Sequence, residues 1–371
     1  MSNPSENLKY ELALSLVPKI GPAVFRSILA HAGSAKGFLD ITKGKASKIS
    51  RISSSIIEIR KQFEDNLPKA DQIISQCIKK DIGIISFSSD DYPLRLKNID
   101  DFPLIMFKKG KCDLNPTRSV GIVGTRTCTE YGKSVTRKII EDLAPYKPTI
   151  ISGLAYGIDI EAHRAALQLD LPTIAFMGSS VDKIYPSAHA SIAKEMCHSG
   201  GLASEYLPGS TMHPSNFPQR NRLIAGLSDA IVVVEAAIKG GALITAEIAY
   251  GYNKEVFAVP GNLQSPHSEG CNKLISKMKA SIYTGVSDIE EALSWSKEDP
   301  QTSKFTKEKA WSQLPKEDQL ILNILKEKGE LDIDQLSLQT ELNISELASK
   351  LLSLEFEGLI RAKPGKRYGL G

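Results

Sequence analysis

The sequence predicts an α/β protein centred on a doubly wound, mostly parallel sheet, with an all-helical N-terminal segment and a small C-terminal domain. Two observations carry this prediction. From about residue 82, short and nearly continuous apolar runs alternate with helical patterns, as in a parallel sheet covered on both faces. Glycine-rich turns follow several of those runs, where such sheets bind their ligands.

Residues 8–80 have helical periodicity and few strand signals. Within them LSLVPKIGPAVFRSIL (14–29) gives an apolar helix end, a tight turn and a second apolar helix, so 1–80 reads as a SAM-like or helix-hairpin-helix domain. Such a turn offers backbone N–H groups to DNA phosphate, but Lys19 stands where a first glycine is usual and equally fits a plain helical hairpin. Residues 81–296 form the Rossmann-like domain, with strands expected at 82–87, 104–107, 119–123, 149–152, 173–177, 230–235 and 255–259. Residues 297–312 are polar and aperiodic, a linker. Residues 313–371 give helices at 317–328, 333–340 and 345–357, then two short strands around KPGKR, a winged-helix pattern. The third helix carries Glu346, Glu355 and Glu357 against Lys350 alone, which disfavours phosphate docking and points to protein contact.

Composition narrows the function classes. Hydrophobic content of 42% supports an ordinary core, which excludes a disordered chain. Five cysteines with no CxxC pair imply a reducing, cytoplasmic setting and no metal site. The first residues lack a signal peptide's pattern, and no apolar run approaches the roughly 18 residues of a membrane span. The net charge of +3 is uneven: residues 1–80 hold 13 Lys/Arg against 7 Asp/Glu, while 81–296 hold 21 against 23. The basic excess is weak evidence for nucleic acid, because solvated lysines explain it as well.

The stretch GIVGTRTCTEYGK (121–133) reads as strand, glycine turn and helix, the usual way to present N–H groups to a phosphate. A Walker A motif needs four residues between its glycines, but seven separate Gly124 from Gly132. The dinucleotide fingerprint GxGxxG is missing too, so neither a nucleoside triphosphatase nor an NAD enzyme fits and no cofactor is expected. What remains is a set of loops of shared character: Gly124, Thr125 and Arg126 after one strand, Ser152 and Gly153 after another, FPQRNR (217–222) before a third, and GGALIT (240–245) opening a helix. Glycines permit close backbone approach, helix starts supply donors, and Arg126, Arg220 and Arg222 supply cationic forks. Phe217 is either a platform for a base or part of the core, and Arg220 and Arg222 either grip phosphates or serve as structural ion-pair partners.

VGIVGTR, ISGLAYGIDIEAH, FPQRNRLIAGLSD, VVVEAAIKGGALITAE and VFAVPGN occur in order along the chain. In these motifs the sequence resembles the DNA-processing protein A (DprA/Smf) family over nearly its whole length. The resemblance implies a cytoplasmic, non-enzymatic homodimer that binds and protects incoming single-stranded DNA, and loads RecA recombinase onto it during natural transformation. Carried over by motif, the pocket comprises Gly124, Thr125, Arg126, Ser152, Gly153, Phe217, Arg220, Asn221, Arg222, Gly240, Gly241 and Thr245. Pro214, Ser180 and Lys279 depart from the family pattern.

Other titratable groups read as structural. Asp159 and His163 lie four apart on one helix face, and no third ligand has metal spacing, so they are taken as a helix cap and a packed ring. Glu205 and Glu235 orient loops, and His189 and His198 belong to a surface helix. One enzymatic alternative is specific. GGALITAE (240–247) resembles the PGGxGTxxE loop of nucleoside 5′-monophosphate phosphoribohydrolases, with Lys239 in place of the proline. A transcriptional regulator would rest on the winged helix alone.

Overall fold

Buried apolar runs make the central strands. In the computed structural model β3 (Ser119–Val123), β4 (Thr149–Ser152), β5 (Thr173–Phe176) and β7 (Ala230–Val233) are buried at every position, as parallel strands covered on both faces must be. The structure describes residues 6–42, 44, 49, 56–296, 314–340, 342–356, 359–363 and 367–370. With β1 (Gly83–Ser86), β2 (Ile105–Gly110), β6 (Gly201–Ser204), β8 (Glu255–Ala258) and β9 (Ser281–Ile282) these strands form one sheet, ordered β1-β2-β6-β5-β4-β3-β7-β8-β9. Pairing is parallel from β6 to β9 and antiparallel at β1–β2 and β2–β6. The chain winds from β3 outward through β4, β5 and β6, then returns to place β7 on the other side of β3. The topological switch point therefore lies between β3 and β7, where doubly wound sheets open a crevice.

Two strands of this sheet lie outside the predicted apolar runs. β6 is Gly-Leu-Ala-Ser, without a β-branched or aromatic residue, and becomes a strand because it fills the slot between β2 and β5. β9 is only two residues long, on the far edge.

The chain divides into two compact units, 1–296 and 297–371. In the first, helices Glu6–Ser15, Pro22–Ala32 and Ile56–Lys79 share one buried cluster with the sheet, joining Leu12, Phe25 and Phe63 to Phe107, Ala175 and Met177. Arg26 fastens the contact, donating to the Lys97 carbonyl at 3.0 Å and lying 4.6 Å from the Phe102 ring centre. The turn before Pro22 takes the left-handed conformation at Lys19, φ 72°, the conformation a glycine usually supplies.

In the second unit, helices Lys316–Lys328, Ile333–Thr340 and Ile344–Phe356 enclose a core of Leu322, Leu325, Leu336, Leu347 and Leu351. A three-stranded sheet of β10 (Leu331–Asp332), β11 (Ile360–Lys363) and β12 (Arg367–Leu370) completes the winged helix. Lys350 on the third helix is engaged within the domain, 2.7 Å from Glu317 and 3.3 Å from Asp318.

His163 sits in the core of the first unit, fully buried, with Nδ1 2.7 Å from the Thr173 hydroxyl. That hydroxyl donates to the Ile150 carbonyl at 2.9 Å, so Nδ1 carries a proton and donates to it. Burial is the main cause that pushes its pKa down to about 3. A depressed histidine pKa means the unfolded chain binds the extra proton first, so stability falls as pH drops from 6.5 toward 3. We expect this group to account for about 2 kcal/mol of lost stability at pH 5. Urea titrations of the wild type and His163→Phe over pH 7 to 5 should show the shallower pH slope in the variant.

Candidate functional site

A pocket of about 300 Å³ opens at the switch point, above the carboxyl ends of β3 and β7. Its walls come from residues 124–126 after β3, the first turns of helix Asn216–Leu227, and residues 239–245, where helix Gly241–Gly251 begins. The two strand ends are tied together, because the Thr125 N–H donates to the Glu235 carbonyl at 2.7 Å. Glu235 is buried, and its carboxylate accepts from the N–H and hydroxyl of Thr129, which itself caps helix Glu130–Leu143 through the Gly132 N–H. Gly132 is needed there: a Cβ would lie 2.3 Å from that carboxylate. Glu235 thus orients a loop, as its sequence position suggested.

Gly240 precedes helix Gly241–Gly251 in an extended conformation with no side-chain cap, so the first N–H groups of the helix lack the usual side-chain acceptor. Added Cβ atoms at Gly240 and Gly241 would meet almost nothing, and both residues face the pocket. Thr245 is buried at its base, its hydroxyl donating to the Gly241 carbonyl at 3.3 Å. Asn221 closes the wall by donating to the same carbonyl at 3.2 Å. Arg126 is exposed at the mouth and, among the described residues, makes no hydrogen bond or ion pair; its guanidinium stands 5.7 Å from the Phe217 ring centre. Lys239, which stands in place of the phosphoribohydrolase proline, adds a second exposed cation.

Nine of the twelve expected residues line this pocket: Gly124, Thr125, Arg126, Phe217, Arg220, Asn221, Gly240, Gly241 and Thr245. Ser152, Gly153 and Arg222 do not. Ser152 is buried and donates to the Ile122 carbonyl at 2.6 Å. Gly153 is pressed against the Arg220 guanidinium, where a Cβ would lie 2.3 Å from Nη1. The arginines differ because FPQRNR is helical and not the loop expected, so residues two apart point roughly 200° apart around the axis. Arg222 turns away to Glu205 at 2.5 Å and Asp101 at 3.6 Å, a structural ion pair. Arg220 lines the pocket from below as a buried strut, 4% exposed, donating to the carbonyls of Gly153 (2.7 Å) and Phe176. Its Nε has no partner among the described atoms.

Two further expectations need correction. Asp159 does not cap its helix, whose N-cap is Gly157; it accepts instead from the N–H groups of Gly153 and Ala155, holding the turn after β4. Burial raises its pKa, against the lowering pull of Arg220. His189 is not a surface residue: it is 4% exposed, its ring nitrogen 2.8 Å from the Leu154 carbonyl.

Comparison with known proteins agrees with these motifs. Residues 83–294 match the family described as DNA recombination-mediator protein A, and 306–366 match the DprA winged helix domain. The chain belongs to the DprA family. It is 33% identical to the DNA processing protein DprA of Bacillus subtilis, covering 74% of this chain and 92% of that one. It is 36% identical to the Smf protein of Escherichia coli, covering 76% of each. Among solved structures, DprA of Streptococcus pneumoniae superposes with a TM-score of 0.65 at 30% identity, covering 78% of this chain and 98% of that one. The Helicobacter pylori DprA, solved for its single-stranded DNA binding mode, gives a TM-score of 0.52 at 30% identity over 57% of this chain and 95% of that one.

The Arg222–Glu205 contact is largely shielded, at 16% and 18% side-chain exposure, and burial raises the Glu205 pKa despite the arginine. Removing one partner strands a shielded charge, so Arg222→Ala should lose about 3 kcal/mol of stability. Urea denaturation at neutral pH checks this value; a loss under about 1 kcal/mol would show that the pair is not structural.

Proposed function

We propose that this chain binds single-stranded DNA in the switch-point pocket, with a backbone phosphate held by the N–H groups of Gly241 and Ala242, at the uncapped start of helix Gly241–Gly251, and by Arg126. In this reading the protein protects an incoming strand and delivers it to RecA recombinase during natural transformation, acting in the cytoplasm as a homodimer without nucleotide hydrolysis. One observation carries it: the Arg126 guanidinium stands at the pocket mouth, beside the Phe217 ring, with no protein partner among the described residues. A cation, an uncapped helix start and an aromatic ring in one cleft suit a phosphodiester with its base better than a lone small anion. The Helicobacter pylori relative's single-strand binding supports the same reading. Lys350 is neutralised inside the winged helix, which favours a protein-contact role for that domain.

The phosphoribohydrolase alternative needs a carboxylate facing the phosphate pocket from position 247. Glu247 is exposed, lies 2.9 Å from Lys279, and lines a neighbouring depression instead. Asp159 does line the pocket, but it is engaged by two backbone N–H groups. This favours binding over hydrolysis.

If Arg126 grips a phosphate, Arg126→Ala should weaken oligo-dT binding by about 1.5–3 kcal/mol. It should also lower the magnitude of the salt slope by roughly 0.7, with the melting temperature unchanged. A gel-shift salt series with matched thermal melts decides the matter, and unchanged affinity in the variant would sink the pocket assignment.

The homodimer proposal draws on the apolar residues Ile238 and Ile244, which are 49% and 42% exposed and line a depression of about 460 Å³. Sedimentation at micromolar concentration should return the dimer mass, and Ile244→Glu should shift it to the monomer.

A further inference from the structure

Next to the pocket lies a second aromatic ring that the phosphate contacts leave unused. Phe217 rests on the backbone of Gly178, where a Cβ would meet the ring at 2.7 Å. Tyr185 lies beyond it, with ring centroids 5.5 Å apart and planes inclined at 46°. Phe217 therefore has the Arg126 guanidinium and the Tyr185 ring as neighbours. At 5.5 Å the two rings are in direct contact, with no room for a base between them. Each ring must then offer its own face.

Tyr185 is 45% exposed, and its hydroxyl makes no hydrogen bond among the described residues. The loop that carries it is held in place before any ligand arrives. The Ser179 hydroxyl donates to the Lys183 carbonyl at 2.7 Å, and the Lys183 N–H donates to the Ser180 carbonyl at 3.1 Å. Asp182, at the centre of that loop, accepts from Lys80 at 2.5 Å and from the Gly209 N–H at 3.2 Å. Because the ring is presented on a braced loop, covering it costs little ordering entropy.

We propose that Tyr185 is a second nucleobase subsite, stacking the base of the nucleotide that adjoins the one held at Arg126 and Phe217. The inference rests on the single-strand binding proposed above. Every base has a π-face, so the subsite takes any nucleobase and extends the grip along the strand without reading sequence.

The test measures affinities of the full chain for oligo-dT and for a ladder of equal-length oligomers, each with one sugar made abasic. The variants are Tyr185→Ala, Tyr185→Leu, Tyr185→Phe and Arg126→Ala. Tyr185→Ala and Tyr185→Leu should each weaken oligo-dT binding at least about fivefold, the low end for one aromatic–base stack. Their salt slopes should match the wild type, and Tyr185→Phe should recover the affinity. At one position of the ladder the abasic sugar should erase the difference between wild type and Tyr185→Leu. Tyr185→Leu keeps an apolar contact on Phe217, so it remains informative if the alanine variant does not fold. Full affinity in Tyr185→Leu, while Arg126→Ala still loses binding, overturns the subsite and leaves strand binding intact. A Tyr185→Leu loss that persists at every abasic position also overturns it, since the tyrosine would then only shape the loop. Wild-type protein that binds none of the oligomers defeats both readings.

Discussion

The rest of the site depends on the Arg220 guanidinium. It is buried in the lower wall of the pocket, and it reaches from helix Asn216–Leu227 to the carbonyls of Gly153 and Phe176 at the ends of β4 and β5. A buried charge is expensive unless it is hydrogen-bonded. Burial pulls its pKa down only to about 10, with Asp159 pulling the other way, so it stays charged at neutral pH. Because both carbonyls lie at strand ends, the arginine fixes the helix against the sheet where the pocket opens. The next residue, Asn221, is then held on the Gly241 carbonyl, and Phe217 one turn earlier is set over Gly178.

Glycine positions follow from the same close approach. Gly153 has no room for a side chain because the guanidinium occupies it, and Gly132 has none because the Glu235 carboxylate does. Gly124 is crowded in the same way by Ile158 and the Glu235 carbonyl. Gly240 and Gly241 are different, since their missing side chains leave open space in the pocket. One group of glycines lets the walls pack, and the other leaves the cavity accessible. The loops are therefore rigid at their roots, while Arg126 at the mouth is free to meet a ligand.

The cations at the pocket mouth and the lysine of the third winged-domain helix differ in the same way. Arg126 and Lys239 face open solvent over an uncapped helix start, the arrangement that attracts phosphate. Lys350 on the third helix of the winged domain lies between two carboxylates of the domain's first helix, so little of its charge is left to attract a polyanion.

The strand alternation, the order of domains and the glycine turns at the switch point are legible in the chain, because buried parallel strands and helix starts have local signatures in apolar runs and glycine spacing. Gly124, Thr125, Arg126, Gly240, Gly241 and Thr245 were legible for that reason. The difference between Arg220 and Arg222 comes from packing. Residues two apart on a helix face nearly opposite directions, and the partners that decide their roles lie 15 or more residues away in sequence, at Gly153, Phe176, Glu205 and Asp101. β6 became a strand for a similar reason, since Gly-Leu-Ala-Ser has little strand preference of its own and takes its conformation from β2 and β5. The roles of His189 and Asp159 have no local signature, because burial and backbone partners across a turn leave no trace in spacing.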